Sequence, residues 1–136
     1  LLRQKRAVPV FNENDALSFE EIALLNAFGD NDRLSAHVAV LAQADRLVIL
    51  TDAPGLMSRP DGSGPLIRRV RKIDDRVLAV AGGAGSVGSV GGMRSKLEAA
   101  RVALARGIPV LITDGRRGKV LQETTKTSAP GTWIAR

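Results

Sequence analysis

Two short apolar runs constrain the fold more than any other feature of the sequence. Residues 47–50 read LVIL, residues 108–113 read IPVLIT, and a Thr-Asp pair ends each run, at Asp52 and Asp114. Continuous runs of this length are typical of strands that a parallel sheet buries on both faces. Because helical patterns separate the runs, the sequence predicts an α/β fold in which a mainly parallel sheet lies between layers of helices.

Two helical patterns accompany these strands. The first follows N-cap candidates at residues 30–32 and places Leu34, Val38 and Leu41 on one face. The second repeats apolar residues at helical spacing until Gly107 closes it: Met93, Leu97, Ala100 and Leu104.

Weaker patterns predict the remaining elements. Residues 7–11 form a short apolar run that predicts a strand, and Ser18 with Glu21 has capping-box spacing for a helix to about residue 27. Glycine and proline make residues 53–65 a loop. Residues 73–81 fit either a short helix or a strand.

Composition limits the classes of function. The chain has 136 residues and no cysteine, which excludes disulfides and thiolate metal sites. No apolar run approaches the length of a membrane span, so we expect no membrane partner and a cytoplasmic location. The net charge of +6 permits polyanionic ligands, but the three Phe and one Trp do not alternate with basic residues. Nucleic acid is therefore not a predicted partner, and the basic runs near 68–72 and 116–119 are interpreted as solvated faces.

Polar residues follow several predicted strands. Residues 12–15, 51–52 and 113–114 all lie at strand ends. In open α/β sheets, ligands bind outside the carboxyl ends of the strands. The sequence therefore predicts a ligand site at this edge of the sheet.

The glycine run GAGSVGSVGGMRSK at 83–96 admits several interpretations. Gly83, Gly85 and Gly88 satisfy a dinucleotide pattern, but further residues intervene before a helix begins, and no Gly-Lys-Ser/Thr closes a P-loop. Two interpretations remain. The run delivers backbone N–H groups and Lys96 to a helix N-terminus, where anions bind, or it is a mobile surface loop.

Four segments occur in this order: VPVFNENDA, FGDNDRLSA, LVILTDAPGL and GGMRSKLEAARVALARGIPVLI. Over residues 7–132 they resemble the glutamate 5-kinases of the amino acid kinase family. The resemblance implies a three-layer α/β/α sandwich with a mainly parallel sheet. It also implies transfer of the γ-phosphoryl group of ATP, with Mg²⁺, to the γ-carboxylate of L-glutamate, the first step of proline biosynthesis.

The resemblance assigns a role to each matching residue. Asp15 and Asn31 match positions that hold glutamate, with Asn12 and Asp30 as helpers, although plain helix capping is the alternative for both Asn31 and Asp32. Asp32 matches an aspartate that orients the catalytic lysines.

The nucleotide side follows in the same way. Thr51 and Asp52 match nucleotide contacts at a strand end, and Lys96 matches the lysine that reaches the transferring phosphate. The end of the glycine loop completes the matching ATP-binding positions: Val90, Gly91, Gly92 and Met93. No residue is assigned as a protein ligand to a metal.

Three departures from the family pattern bear on the prediction. Val90 stands where the family has threonine, and the stretch between NEND and GDND is about four residues longer than usual. The family's first lysine motif, its glycine turn and its glutamate-contacting serine would precede residue 1. Because the chain also opens LLRQKRAVPV without Met, we interpret residues 1–136 as the C-terminal, nucleotide-side half of a kinase domain, without the PUA domain and inactive alone.

Two rival functions stay open at this point. One is a non-catalytic, kinase-like domain that binds nucleotide or an amino acid. The other is a related kinase acting on aspartate, acetylglutamate or a nucleoside monophosphate, which the NEND and GDND pair argues against. For the complete enzyme, the resemblance further implies feedback inhibition by proline and a homo-oligomer.

Overall fold

The computed structural model describes residues 7–12, 31–82, 92–126 and 128–136. The helices in these ranges are α1 (Asn31–Leu41), α2 (Asp75–Val80), α3 (Met93–Ala105) and α4 (Val120–Glu123). The strands are β1 (Leu47–Thr51), β2 (Arg69–Val70), β3 (Val110–Asp114) and β4 (Thr132–Ile134). In this part of the chain, no helix has the length and apolar character needed to cross a membrane.

The four strands form one sheet in the order β1-β3-β4-β2. β1 runs parallel to β3, with Leu47 opposite Val110 and Thr51 opposite Asp114. β2 runs parallel to β4, whereas β3 and β4 are antiparallel. The predicted α/β fold with a mainly parallel sheet is therefore confirmed.

Burial differs between the two strands with apolar runs. β3 is buried from Val110 to Thr113, as expected for an interior strand. β1 alternates instead: Leu47 and Ile49 are buried, whereas Leu50 is 44% exposed. The prediction that residues 47–50 are buried on both faces is wrong, because successive side chains point to opposite faces and the described residues fully bury only the face of Leu47 and Ile49.

The two long helices pack against each other through small side chains. Ala36 and Ala39 of α1 are buried, and α3 contributes a set of buried alanines: Ala99, Ala100 and Ala103. Short side chains let the two helix backbones approach closely. The predicted apolar face of α1 is wrong at Leu41, because this residue lies at the helix end and is 84% exposed.

The structure decides between the helix and the strand that the sequence of residues 73–81 allowed. Residues 73–81 contain the helix α2, whose N-cap residue Asp74 accepts a hydrogen bond from the Val77 backbone N–H at 3.1 Å. This removes the strand that a dinucleotide fingerprint requires before the glycine run.

The chain's first described segment also departs from prediction. Residues 7–12 form no strand, and their side chains are exposed. A strand requires the backbone of a neighbouring strand, and no described strand pairs with this segment. The helix predicted from Ser18 lies outside the described residues.

Candidate functional site

The carboxyl ends of β1 and β3 meet at one edge of the sheet. Thr51 pairs with Asp114 in the parallel register, so Asp52 and Asp114 come together as predicted. Arg116 joins them: its Nε and Nη2 lie 2.9 Å from the two Asp114 carboxylate oxygens. The same Nη2 donates a hydrogen bond to the backbone carbonyl of Asp52. One guanidinium group thus ties two strand ends together.

Asp114 and Arg116 form an ion pair at this edge of the sheet, and each changes the pKa of the other. Hydrogen bonds from the Arg116 side chain, and then from its backbone N–H at 2.9 Å, lower the pKa of Asp114 to about 2. The carboxylate in turn raises the pKa of Arg116. Asp114 therefore stays ionised near neutral pH and serves as an anchor rather than as a proton donor.

A second charged pair connects α1 with α3. Lys96 Nζ lies 3.1 Å from Asp32 Oδ2, and each side chain is 13% exposed. Ser95 Oγ lies 3.0 Å from the same carboxylate oxygen and 2.8 Å from the Gly92 carbonyl oxygen. Asp32 thus gathers two neighbouring side chains from the first turn of α3.

A cavity of about 440 Å³ separates the end of β1 from the start of α3. Its polar lining residues include Thr51, Asp52, Arg59 and Lys96. The remaining wall is mostly apolar or glycine: Ala53, Gly55, Leu56, Met57, Pro60, Gly62, Val80, Ala81, Gly92 and Met93. An apolar cavity with a few charged groups is typical of a small-molecule site.

Thr132 of β4 fixes the loop that forms one wall of this cavity. Its Oγ1 accepts a hydrogen bond from the Leu56 backbone N–H at 2.8 Å and donates one to the Ile67 carbonyl at 2.7 Å. Gly55 adopts φ +146°, and a Cβ there would lie 2.6 Å from Thr132 Oγ1. The loop therefore has a fixed path that depends on glycine at position 55.

The structure brings most of the described ATP-side residues together. Thr51, Asp52 and Lys96 line the cavity, with Gly92 and Met93 at the start of α3. Asp32 lies behind them in contact with Lys96. Val90 and Gly91 lie outside the described residues.

The residues assigned to glutamate are placed differently. Asn31 is exposed and lines a separate, mostly apolar cavity of about 330 Å³ beside Phe11. Asn12 is also exposed and lines neither of these cavities. Asp15 and Asp30 lie outside the described residues, so the glutamate assignment stays a prediction.

Two residues of this region were missed by sequence reasoning. Arg116 was interpreted as part of a solvated face, yet its position two residues after the strand-end Asp114 was an available signal. Ser95 had no signal beyond its position next to Lys96. In the described part of the chain, no group of three or more His, Cys, Asp or Glu residues is arranged to hold a metal ion.

Parallel strand ends that face a helix N-terminus across a cavity form an α/β ligand site. Residues 1–114 match the sequence profile of the amino acid kinase family, and the chain belongs to this family. It is 42% identical over 136 residues to a glutamate 5-kinase from Clostridium tetani, covering 98% of this chain and 49% of that protein. A glutamate 5-kinase from Rhodopseudomonas palustris is 44% identical, with 98% of this chain and 35% of that protein covered.

A solved structure supports the same fold. N-acetylglutamate synthase from Neisseria gonorrhoeae, complexed with coenzyme A and N-acetyl-glutamate, aligns with a TM-score of 0.58 and 32% identity. The alignment covers 79% of this chain and 24% of that one. The chain spans about half or less of the length of the curated relatives described above.

Proposed function

We propose that this chain is the nucleotide-side half of a glutamate 5-kinase domain. The complete protein would transfer the γ-phosphoryl group of ATP to the γ-carboxylate of L-glutamate, as a cytoplasmic enzyme of proline biosynthesis. The observation that carries the proposal is the pair of Lys96 and Asp32, 3.1 Å apart, beside a cavity whose other side is the Thr51-Asp52 strand end. The identity to glutamate 5-kinases supports the choice of reaction.

The cavity suits a nucleotide in size and chemistry. Its apolar wall, which includes Leu56, Met57 and Val80, fits a base and sugar, while Arg59 and Lys96 supply positive charge for phosphates. The N-terminus of the 13-residue helix α3 adds backbone N–H groups and the positive end of the helix dipole. We therefore propose that ATP lies across this cavity, with its phosphates toward α3.

Lys96 has the geometry of a group that stabilises a transferring phosphoryl. Phosphoryl transfer depends mainly on positioning and on neutralising charge, which a lysine ammonium provides. Asp32 accepts a hydrogen bond from this ammonium and fixes its direction. Asp32 therefore acts through Lys96, as a positioning residue.

Mg²⁺ fits this arrangement as a partner of ATP. It would offset the negative charge of the phosphates, and it is usually held by one or two carboxylates together with phosphate oxygens. Asp52 is the carboxylate that lines the cavity, whereas Asp114 is bound by Arg116. We propose Asp52 as the protein residue on the metal side of the nucleotide.

The glutamate side rests on sequence resemblance. We propose that Asp15 and Asn31 hold the substrate, with Asn12 and Asp30 beside them. An amide can donate to a carboxylate, and a carboxylate can pair with the substrate ammonium. Asn31 directly precedes Asp32 in α1, and Asp32 contacts Lys96, so the glutamate assignment lies one residue from the partner of Lys96. Feedback by proline and a homo-oligomer of the complete protein belong to the same proposal.

The acyl phosphate product provides a direct test. The complete gene product is incubated with ATP and Mg²⁺, and hydroxylamine traps the activated carboxyl group as a hydroxamate. We expect hydroxamate formation with L-glutamate, and little with L-aspartate or N-acetyl-L-glutamate. A preference for either of the other acceptors would contradict the proposed substrate.

A further inference from the structure

A second charged cavity, of about 490 Å³, lies elsewhere on the molecule. It shares no lining residue with the cavity of Lys96. Four arginines and one tryptophan dominate its lining: Arg46, Arg69, Arg71, Arg136 and Trp133. Pro109 and Ala135 complete the set, which we call the arginine cavity.

The sheet register explains why these residues meet. Arg69 pairs with Trp133 across β2 and β4, and Leu111 pairs with Trp133 from the other side. Side chains alternate along a strand, so Arg69 and Arg71 flank Val70, which is buried on the opposite face. The arginine cavity therefore lies on the face opposite Val70.

Two walls of the arginine cavity are held in place. The guanidinium carbon of Arg46 lies 5.4 Å from the centre of the Trp133 ring, a cation–π contact. Arg46 also donates a hydrogen bond to the Thr124 carbonyl, and Trp133 Nε1 donates one to the Ala129 carbonyl at 3.1 Å. These contacts preorganise the Arg46 side chain and leave other donors of its five available.

Within the described parts of the chain, no carboxylate forms an ion pair with an arginine of this cavity. The ion pairs found among the described residues involve Arg94, Lys96, Arg116 and Arg117, and none of them involves an arginine of this cavity. No Asp or Glu residue belongs to its described lining. Several guanidinium groups that face one space repel each other, and an anion would relieve that repulsion.

We propose that the arginine cavity binds the phosphate group of a small molecule. Guanidinium groups bind phosphate through paired N–H donors. A phosphate monoester carries a charge of about −1.5 to −2 near neutral pH, which matches several arginines better than a single carboxylate does. The volume of about 490 Å³ leaves space for more than the phosphate itself. This site is independent of the proposed kinase reaction.

Trp133 makes the test specific. It is the one tryptophan of residues 1–136, which contain no tyrosine, so the emission that it contributes on excitation at 295 nm reports on this cavity. Inorganic phosphate, pyrophosphate and glycerol phosphate are titrated into the complete gene product at constant ionic strength, with sodium chloride and malonate as comparison anions. The emission of Trp133 is obtained as the difference from a Trp133→Phe variant. We expect a saturable change in emission with the phosphates. Tighter binding of glycerol phosphate would identify an organic phosphate, and tighter binding of the inorganic ions would identify free phosphate.

Matched variants distinguish anion binding in the arginine cavity from nonspecific electrostatic attraction to a basic protein. Arg69→Ala with Arg71→Ala removes two charges from the cavity, and we expect the dissociation constant to rise at least about tenfold. Arg94→Ala with Arg106→Ala removes the same charge from exposed positions elsewhere, and we expect no change. All four residues are exposed, so the fold should persist.

Three results would overturn the proposal. The first is an equal response to chloride at the same ionic strength, and the second is equal weakening by both double variants. The third comes from calorimetry on the complete gene product whose proposed nucleotide site is saturated with a non-hydrolysable ATP analogue. Phosphate binding that still does not depend on Arg69 and Arg71 would place the anion elsewhere.

Discussion

Lys96 Nζ lies 3.1 Å from Asp32 Oδ2, so the first turn of α3 is joined to the first turn of α1 by one ion pair. Each side chain is 13% exposed, which limits solvent screening of the pair. Removing one member leaves the other charge poorly compensated in a largely buried place. The pair therefore fixes the lysine ammonium and also links the two helices that carry the site.

The first prediction tests Lys96 in the complete enzyme. Lys96→Ala should lower kcat by about 10²–10³-fold, because charge on the transferring phosphoryl loses a preorganised partner. The KM for glutamate should change far less. Arg94→Ala is the matched control, since Arg94 lies on the same helix with an exposed side chain. Equal turnover of parent and Lys96→Ala would remove Lys96 from the mechanism.

The second prediction concerns Ser95 as a positioning residue. Its hydroxyl contacts the Asp32 oxygen that also binds Lys96. Ser95→Ala should lower kcat by about fivefold, the effect of one hydrogen bond of about 1 kcal/mol, with little change in either KM. Ser95→Thr keeps a hydroxyl and should restore most of the activity. If both variants lose the same activity, the effect comes from packing and not from the hydrogen bond.

The third prediction separates the two substrates. Asp52 lines the cavity assigned to ATP, whereas Asn31 lies outside it. Asp52→Ala should mainly raise the KM for ATP, and Asn31→Ala should mainly raise the KM for glutamate. Steady-state kinetics with each substrate varied in turn measure both effects. A change only in the ATP dependence of Asn31→Ala would show that the glutamate assignment is wrong.

Sequence patterns predicted the parts of the fold that are set by strong local periodicity. β1, β3 and α3 appear where apolar runs or helical spacing placed them, and Thr51 faces Asp114 because parallel strands align their carboxyl ends. The same patterns could not show that Leu50 and Leu41 are exposed, since exposure depends on which neighbour covers each face. Tertiary contacts decide that question.

The candidate site was predictable to a similar degree. Lys96 and Asp32 were identified through motifs, and their 3.1 Å contact joins residues 64 positions apart. The role of Arg116 was missed because a run of basic residues is typical of a solvated face. Only the structure shows that Arg116 binds the Asp52 carbonyl and the Asp114 carboxylate. The cation–π contact between Arg46 and Trp133 could not be predicted from sequence patterns either, since it depends on how the strands align across the sheet.

The fourth prediction concerns acid stability. The folded-state pKa of Asp114 is about 2, against an ordinary value of 3.8. A lowered pKa contributes stability that is fully present above pH 3.8 and is lost as the pH falls towards 2. Asp114→Asn should therefore reduce the free energy of unfolding at pH 6 more than at pH 2.5. Urea unfolding at both pH values measures this, and a deficit of equal size at both would contradict the assigned role of the Arg116 contact.

The fifth prediction tests the wall of the Lys96 cavity at Gly55. A Cβ at Gly55 would lie 2.6 Å from Thr132 Oγ1 and 3.0 Å from the Thr132 backbone nitrogen, at φ +146°. Gly55→Ala should cost about 2–4 kcal/mol of unfolding free energy and weaken binding of an ATP analogue, because both the backbone and the Thr132 contact are disturbed. Gly107→Ala is the control: Gly107 lies outside the cavity lining and has φ +77°, with no atom within 4 Å of its Cβ position.

This comparison isolates the effect of the clash from the effect of a positive φ. Gly107→Ala should cost about 1 kcal/mol from backbone strain alone and leave analogue affinity nearly unchanged. Urea unfolding gives the stability of each variant, and calorimetry with a non-hydrolysable ATP analogue gives its affinity. If Gly55→Ala binds the analogue as tightly as Gly107→Ala does, the path of the loop between Gly55 and Ile67 does not shape the nucleotide cavity. In that case the hydrogen bonds of Thr132 stabilise the sheet without positioning the ligand.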